Sequence, residues 1–262
     1  MEMTGEDSIK DFWDKQADKY KTSDLATAPD HHYRELEISR ILPHLSDGSH
    51  ILDIGCGNGY STLKFAIENP GATILGVDYS EKMIKQAIDH LHGHPEVKNV
   101  SFLMGDVRRL GDLKKKFDII VSERCLINLT TFAEQRHALL QMKYALNPGG
   151  KLILVENTIE GLDRLNSLRK KFGLEDIKER WHNHYLPQFD FLKFARLHFK
   201  VQTVDNIGSL YYIMSRVMYA KLCAMEGKEP DYNHPINRIA SQMPSLPAYA
   251  WSPNYLFVMR NV

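Results

Sequence analysis

Cysteine is scarce in this sequence, which has only Cys56, Cys125 and Cys223 among its 262 residues. The three are far apart and odd in number, so they do not form the dense disulfide framework of a small secreted protein. We interpret them as small buried residues. This cysteine usage favours a reducing compartment, and no thiol nucleophile is predicted because no base lies near Cys56 in the sequence.

Net charge and long apolar runs are also missing. The 33 basic residues balance the 33 acidic ones, so no overall field attracts nucleic acid or an anionic membrane. No apolar run approaches the length of a membrane span, and residues 1–7 lack the basic and apolar regions of a secretion signal. We therefore expect a cytoplasmic protein that binds neither nucleic acid nor membrane.

What remains is the composition of an ordinary folded protein. Hydrophobic residues make up 43% of the chain and charged residues 25%, which is enough apolar surface for a real core. One sheet covered by helices on both faces accounts for a chain of 262 residues. We expect one main α/β domain with additions.

Apolar runs typical of strands alternate with amphipathic helical patterns along the chain, which indicates a parallel sheet built from βα units. The predicted strands are 49–54, 73–77, 100–104, 117–122, 152–155, 201–204 and 255–259. The predicted helices are 9–20, 31–42, 61–67, 80–91, 132–146, 162–172 and 211–225, with a turn at 147–150. The pattern predicts a doubly wound, mostly parallel sheet of seven strands.

A glycine-rich turn, Gly55-Cys56-Gly57-Asn58-Gly59, joins the first predicted strand to the next helix. Glycine lets a ligand approach the backbone, and the start of a helix presents unpaired N–H groups. The spacing is one residue shorter than the G-x-G-x-x-G fingerprint of dinucleotide-binding proteins. Asp53 precedes the turn, where a carboxylate suits a cationic ligand group better than a pyrophosphate. Taken singly, the glycines are also explained by a tight turn, and Asp53 and Asp78 by helix capping.

The segment 53–59 resembles the first motif of class I S-adenosylmethionine-dependent methyltransferases. Further elements agree in order and spacing, namely Asp78 after the second strand, 105–107 after the third, 117–121 in the fourth and 146–150 before the fifth. The resemblance implies a Rossmann-like methyltransferase fold. It also implies S-adenosyl-L-methionine as the cofactor and S-adenosyl-L-homocysteine as the product.

The resemblance implies roles for individual residues as well. Asp78 would bind the ribose hydroxyls and Asp106 the adenine amino group, with Met83 and Val107 as walls for the ring. Trp13 and Tyr20 resemble the N-terminal helix that closes over the methionine end of the cofactor in related enzymes. The full predicted cofactor-binding set is Trp13, Tyr20, Asp53, Gly55, Gly57, Asn58, Gly59, Asp78, Met83, Gly105, Asp106, Val107 and Glu123.

Three regions follow from this comparison with the family. Residues 1–45 would form an N-terminal helical lid, residues 46–160 the cofactor-binding core, and residues 161–262 the end of the sheet with a C-terminal insertion that binds the acceptor. The insertion contains a loop rich in proline. Its prolines and the one that follows are Pro230, Pro235, Pro244, Pro247 and Pro253.

Methyl transfer needs in-line approach of a lone pair, and removal of a proton when the acceptor is a hydroxyl or an acid. We expect the acceptor near the ends of the fourth and fifth strands, which carry Glu123, Arg124, Asn128 and Glu156. No Asn/Asp-Pro-Pro-aromatic sequence follows the fourth strand. Methyltransferases that act on amino groups of bases or on glutamine amides usually carry such a sequence, so methylation of nucleic-acid bases and protein amides is less favoured.

Seven consecutive residues after the fifth strand, 180–186, combine a cation, two imidazoles, an amide and two aromatic rings. We predict His184 or His182 as general base, because imidazole titrates near neutrality, with Glu156 as a further catalytic candidate. Trp181 and Tyr185 would stack on a ring of the acceptor. The alternative is that Trp181 anchors a loop while the histidines are exposed. No third ligand is spaced for a metal ion, so none is predicted.

Segments 209–216 and 232–238 add hydrogen-bond donors and aromatic faces, which suit a polar acceptor that is anionic or carries a sugar. They resemble a branch of small-molecule methyltransferases associated with surface-polysaccharide biosynthesis. Core packing is the alternative for Tyr211, because its helical spacing places it on an apolar face. The predicted substrate-binding set is Arg124, Asn128, Trp181, Tyr185, Tyr211, Tyr212, Arg216 and Asn237.

These features predict an S-adenosylmethionine-dependent methyltransferase that acts on an oxygen of a small polar metabolite. N-methylation of a small amine is the alternative, and it would keep the same cofactor site. An NAD-dependent oxidoreductase is disfavoured by the glycine spacing and by Asp53. A non-catalytic nucleotide-binding module would lack an acceptor pocket. A homodimer is left open.

Overall fold

The computed structural model describes residues 5–244, 246 and 250–262, and Pro247 of the proline-rich loop lies outside them. The described chain forms a seven-stranded sheet in the order β3-β2-β1-β4-β5-β7-β6. Its strands are β1 His50–Ile54, β2 Thr73–Asp78, β3 Val100–Met104, β4 Phe117–Glu123, β5 Leu146–Asn157, β6 Phe199–Asp205 and β7 Asn254–Asn261. The doubly wound, mostly parallel sheet is thus confirmed.

Helices flank the sheet on both faces. They are α1 Gly5–Tyr20, α2 His31–Ile41, α3 Tyr60–Glu68, α4 Glu81–His92, α5 Phe132–Ala145, α6 Ile159–Lys171, α7 Gln188–His198, α8 Ser209–Tyr212, α9 Ala220–Met225 and α10 Pro235–Ser241. Short 3₁₀ helices follow β3, at Val107–Leu113, and β4, at Leu126–Asn128. No helix in the described ranges has the length and apolar character needed to cross a membrane.

The strand order reverses at β1. This strand pairs in parallel with β2 on one side and with β4 on the other, while β7 runs antiparallel to both β5 and β6. Ligands of open α/β sheets bind in the crevice outside the carboxyl ends of the strands at such a reversal. The fold therefore places a candidate site where β1, β2 and β4 end.

Apolar side chains cover both faces of the sheet, which explains why the central strands are nearly continuous apolar runs. Successive side chains of a strand point to opposite faces. In β1, Leu52 and Ile54 pack in the cluster that includes α5 and α7. Ile51 packs instead in the cluster that includes α2 and α3. The strand ends are thereby held rigidly from both sides.

Two helices lie where the sequence predicts none. Helix α7 buries Phe191 and Ala195, which are four residues apart and so on one helical face. Helix α10 has Pro235 in its first turn, where proline is tolerated because its missing N–H has no intrahelical partner. The predicted helix 211–225 is also interrupted, because a π-helical segment, Ile213–Tyr219, joins α8 to α9.

The predicted turn at 147–150 lies inside a strand. Pairing between β4 and β5 passes from Phe117 opposite Leu146 directly to Ile119 opposite Lys151. The residues between Leu146 and Lys151 therefore bulge out of the ladder, and Gly149 has a φ of +71° there. Strand β5 starts earlier than the predicted 152–155 because it continues on both sides of this bulge.

Substitutions at Gly59 and Gly149 distinguish the energetic cost of backbone strain from the cost of a steric clash. Gly59, before α3, has a φ of +76°, and a Cβ there would lie 2.7 Å from Cζ of Phe102. Gly149 has a similar φ but open space around it. We expect Gly149→Ala to cost about 1 kcal/mol from strain, and Gly59→Ala to cost at least about 1 kcal/mol more from overpacking. Urea unfolding measures both, and equal losses would contradict the clash.

Candidate functional site

A cavity, which we call the first cavity, lies beside the carboxyl ends of β1 to β4. Its empty space, counted out to open solvent, is about 1130 Å³. Backbone of the glycine turn, carboxylates and apolar side chains form its wall. The predicted site residues on this wall are Trp13, Asp53, Gly55, Gly57, Asp78, Met83, Gly105, Asp106, Val107, Glu123, Arg124 and Asn128.

Asp78 ties the end of β2 to the glycine turn. Its carboxylate accepts hydrogen bonds from the backbone N–H groups of Gly57, at 2.8 Å, and Ser80, at 2.9 Å. Burial raises the pKa of this carboxyl. Gly57 has a φ of +54°, and a Cβ there would lie 2.6 Å from Cγ2 of Thr27. A carboxylate has about four acceptor positions, so Asp78 retains room for ligand hydroxyls.

Asp53 lies under the same turn and is 1% exposed. The hydroxyl of Thr62 donates to its Oδ2 at 2.6 Å. Burial raises the pKa of Asp53 to about 7, so a cation entering the first cavity would favour the ionised carboxylate. The position therefore suits an ammonium group.

Asp106 lines the first cavity and forms an ion pair with Arg108. The guanidinium of Arg108 lies 2.7 Å from its Oδ2, and the Arg108 backbone N–H donates to its Oδ1 at 2.8 Å. Burial alone would raise the pKa of Asp106, but the hydrogen bonds from Arg108 outweigh burial and lower it. A ligand amino group would share this carboxylate with Arg108.

Three residues predicted to bind cofactor are not on the wall of the first cavity. Tyr20 ends α1 and packs against an apolar cluster that includes Ala17 and Met83, and Gly59 precedes α3. Asn58 is fully buried, and its Nδ2 donates to the carbonyls of Lys21, at 2.9 Å, and Ser23, at 2.7 Å. These contacts fasten the segment after α1 to the glycine turn.

Helix α1 lies over the first cavity. The Nε1–H of Trp13 donates to Oδ1 of Asn128 at 3.0 Å, which links α1 to the turn after β4. The hydroxyl of Ser80 donates to Oδ1 of Asp14 at 2.5 Å, which links α1 to the start of α4. The helix is thus attached on both sides of the cavity that it covers.

A second cavity adjoins the first. Four side chains, which we call the junction, line both cavities: Trp13, Thr27, Arg124 and Asn128. Four more of the predicted site residues lie on the wall of the second cavity: His182, Tyr185, Tyr212 and Arg216. The junction is therefore where a ligand in one cavity would meet a ligand in the other.

Cations outnumber anions on the wall of the second cavity. Its charged side chains are Arg124, Lys178, Arg180 and Arg216 against Asp30, the one carboxylate found there among the described residues. Four phenol groups add hydroxyls, from Tyr33, Tyr185, Tyr212 and Tyr232. Such a wall suits a small anionic molecule.

Arg216 is held from two sides. Its guanidinium pairs with Asp30 and lies 4.3 Å from the centre of the Tyr232 ring. Asp30 also accepts hydrogen bonds from the Tyr211 hydroxyl, at 2.6 Å, and from the Tyr33 N–H, at 3.1 Å. Tyr211 is 1% exposed and does not line the second cavity, which agrees with the core-packing alternative.

Asn237 also lies away from the second cavity. Its Nδ2 donates to the carbonyls of Asp231, at 3.1 Å, and Tyr232, at 2.8 Å. This places Asn237 behind the loop that carries Tyr232. The amide supports the cavity wall instead of facing the cavity, because both contacts are to backbone.

Arg124 has an unusual backbone and a partner that the sequence analysis missed. Its φ is +54°, and its Nη2 lies 3.2 Å from Oε2 of Glu37. Glu37 is fully buried, and burial raises its pKa to about 7. In the sequence, Glu37 lies midway between buried Tyr33 and Ile41 on one face of α2, and that position is the signal that could have identified it.

The structure separates the two histidines that were predicted as alternative general bases, His182 and His184. His182 stacks on Phe12 with ring centres 4.1 Å apart, and burial lowers its pKa to about 4. His184 lines neither cavity, and its backbone N–H donates to the carbonyl of Ile127 at 2.6 Å. Trp181 is 66% exposed and packs edge-on against Phe12. No group of three potential metal ligands forms within the described ranges.

Glu156 supports the turn after β4. It is fully buried, and its carboxylate accepts from the backbone N–H groups of Leu126, at 2.9 Å, and Ile127, at 3.4 Å. Burial raises its pKa to about 8. Glu156 lines neither cavity, so the structure does not bring this predicted base to a ligand.

Residues 45–184, more than half of the chain, match the family described as "Methyltransferase domain". A carboxy-S-adenosyl-L-methionine synthase of Actinobacillus succinogenes is 33% identical over 126 residues, 46% of this chain and 49% of that protein. A ubiquinone biosynthesis O-methyltransferase of Coxiella burnetii is 30% identical over 146 residues, 56% of each. The chain spans about half the length of these curated relatives.

A solved structure gives a similarity in fold. Phosphoethanolamine N-methyltransferase 1 of Haemonchus contortus, in complex with phosphoethanolamine and S-adenosylhomocysteine, has a TM-score of 0.64 and 19% identity. The match covers 99% of this chain and 50% of that one. At this identity the likeness concerns the fold alone.

The buried carboxyl of Glu156 predicts a pH dependence. An unfolded carboxyl ionises near pH 4, whereas the folded pKa is about 8, so this group's contribution to stability is lost as pH rises between these values. Gln cannot ionise, which removes a slope of at most about 1.4 kcal/mol per pH unit. We expect urea unfolding from about pH 5 to about pH 8 to favour Glu156→Gln increasingly over wild type. A difference that stays constant with pH would contradict this.

Proposed function

The chain belongs to the methyltransferase-domain family, whose cofactor is S-adenosyl-L-methionine, and from that premise we propose that it transfers a methyl group to an oxygen of a small anionic metabolite. The cofactor would occupy the first cavity and the acceptor the second. The observation that carries this proposal is the cation-rich wall of a cavity that meets the first one at the junction.

The residues of the first cavity fit the cofactor. Gly57 presents bare backbone to the first cavity, at a point where even a Cβ would clash with Thr27. The absence of a side chain there lets the cofactor approach the backbone closely. Asp78 would accept from the ribose hydroxyls, and Asp53 would face the amino group of the methionine end. Asp106, with Val107 and Met83, would hold the adenine. When bound, the cofactor supplies a methyl group on a sulfonium that a lone pair can attack.

The junction provides alignment. Trp13 and Asn128, joined at 3.0 Å, form a wall that is common to both cavities, so two ligands there would be oriented toward one another. Helix α1 covers this point and would exclude water from it. Arg124 brings a positive charge to the same place. We infer that the acceptor oxygen lies against these side chains.

N-methylation of a small amine is the second candidate. Four tyrosine rings line the second cavity, and aromatic faces bind ammonium groups. The four cations on the same wall oppose a protonated amine, because like charges repel in a partly buried site. We therefore rank oxygen above nitrogen. A cytoplasmic location, a homodimer and a place in surface-polysaccharide biosynthesis stay predictions.

Binding of S-adenosylhomocysteine tests the cofactor site. We expect Asp78→Asn to weaken it about tenfold to a hundredfold, because hydrogen bonds to a charged acceptor are worth about 1.5 to 3 kcal/mol. Asp112→Asn, an exposed carboxylate that pairs with Arg109, is the matched control. Isothermal titration calorimetry measures the affinity of the wild type and of both variants for S-adenosylhomocysteine. Undiminished affinity in a folded Asp78→Asn protein would remove Asp78 from the site.

Turnover tests the reaction itself. We expect labelled methyl from S-adenosyl-L-methionine to enter small anionic molecules, and not their neutral analogues, because the second cavity carries an excess of positive charge. Extracts separated into small-molecule, protein and nucleic-acid fractions serve as acceptors, and mass spectrometry locates the label. Label confined to protein or nucleic acid would contradict the proposal. An absence of label in every fraction would favour a non-catalytic nucleotide-binding module.

A further inference from the structure

We propose that the acceptor group is a carboxylate, bound at the junction by Arg124, and that its methylation needs no general base. This inference rests on the proposed function and names the group on which that function acts. Arg124 is the one cation that lines both cavities among the residues the structure describes. A guanidinium presents a planar fork of N–H groups that matches a carboxylate.

The backbone conformation of Arg124 indicates that its guanidinium is held in a specific position. A non-glycine residue with a φ of +54° carries strain of about 1 to 3 kcal/mol, and such strain concentrates at functional sites. The strain is maintained because the Arg124 N–H donates to the Val155 carbonyl at 2.8 Å. The guanidinium is then fixed from behind by Glu37, 3.2 Å away. The side chain keeps 21% of its surface exposed, which leaves N–H groups for a ligand.

Among the residues that the structure describes, the second cavity offers no effective base. Asp30 already accepts hydrogen bonds from Tyr33 and Tyr211 and pairs with Arg216, so three of its about four acceptor positions are taken and protonating it would cost the ion pair with Arg216. His182 is the imidazole on this wall, and with its pKa lowered to about 4 by burial it holds a proton too weakly to take one near neutrality. No other carboxyl or imidazole lines the second cavity within the described ranges.

The phenols and the remaining carboxyls do not change this conclusion. Burial raises the pKa of Tyr33 and of Tyr185, so these hydroxyls stay protonated and act as donors. Glu123 lines the first cavity alone, and Glu156 lines neither. An alcohol or a protonated amine must lose a proton for methylation, and among the described residues the second cavity offers no unengaged carboxylate to receive it.

A carboxylate avoids this requirement because the reaction balances without a proton. One oxygen lone pair of the carboxylate forms the O–CH₃ bond as the S–CH₃ bond breaks, and the electrons of the broken bond stay on sulfur. The negative carboxylate and the positive sulfonium become a neutral methyl ester and a neutral thioether. Arg124 can hold the carboxylate while one lone pair stays free, since the group has about four acceptor positions.

Binding of simple carboxylates tests the role of Arg124 independently of turnover. Acetate, succinate and benzoate are titrated into the S-adenosylhomocysteine complex, each beside its neutral amide, by isothermal titration calorimetry. We expect at least one carboxylate to bind about tenfold or more tightly than its amide, and Arg124→Met to abolish the preference. Arg196→Met, which removes an exposed arginine of α7, is the matched control and should retain it.

Arg124→Met leaves the buried Glu37 without its cation, and such a loss can unfold a protein. The double variant Glu37→Gln/Arg124→Met removes both charges and is measured in the same way. We expect it to fold and to show no preference for carboxylates. Wild-type protein that binds no carboxylate more tightly than its amide, or a folded double variant that keeps the preference, would overturn the proposal.

The chemical nature of the product gives the second test. Wild-type protein is incubated with S-adenosyl-L-methionine labelled with tritium in its methyl group and a protein-free small-molecule extract, with Asp78→Asn as control. Mild alkali hydrolyses methyl esters, so we expect the label to leave as volatile methanol. Label that stays on a small molecule through alkali would overturn the carboxylate assignment while the proposed function stands. A lack of label in any small molecule would overturn the proposed function.

Discussion

The reversal of strand order at β1 is the constraint on which the candidate site depends. Because β1 pairs with β2 and β4, the chain leaves the sheet in opposite directions from neighbouring strand ends, and a crevice remains between them. Asp78 is the last residue of β2, and the glycine turn and Arg124 directly follow β1 and β4. The rigid, two-faced core beneath the strands then fixes backbone that a flexible loop could not hold.

Charges on the far side of the crevice come from distant segments. Glu37 on α2 pairs with Arg124 after β4, and Asp30 pairs with Arg216 in the π-helical segment. Burying such pairs gives little net stability, because desolvation offsets their attraction. Their value lies in orientation, since each guanidinium is held with part of its surface facing the second cavity. The π-helical geometry around Arg216 fits the tendency of π segments to occur at functional sites.

Local patterns explain why much of the fold and the first cavity could be predicted. The glycine turn, Asp78 and the 105–107 segment each lie within a few residues of a strand end, where the resemblance to the family's motifs located them. The second cavity could not be predicted in this way. Tyr33, Lys178 and Tyr232 meet there only through tertiary packing. His184 illustrates the same limit, because its backbone, not its imidazole, contacts the turn after β4.

The central claim is that the two cavities hold two ligands that meet at the junction. A crystal structure of the protein with S-adenosylhomocysteine tests it most directly, because the sulfur marks the point from which a methyl group leaves. The account predicts the adenosine part beside Asp78 and Asp106 and the sulfur against Trp13 and Asn128, facing the second cavity. A sulfur that faces away from the second cavity, or a ligand bound outside the first cavity, would contradict it.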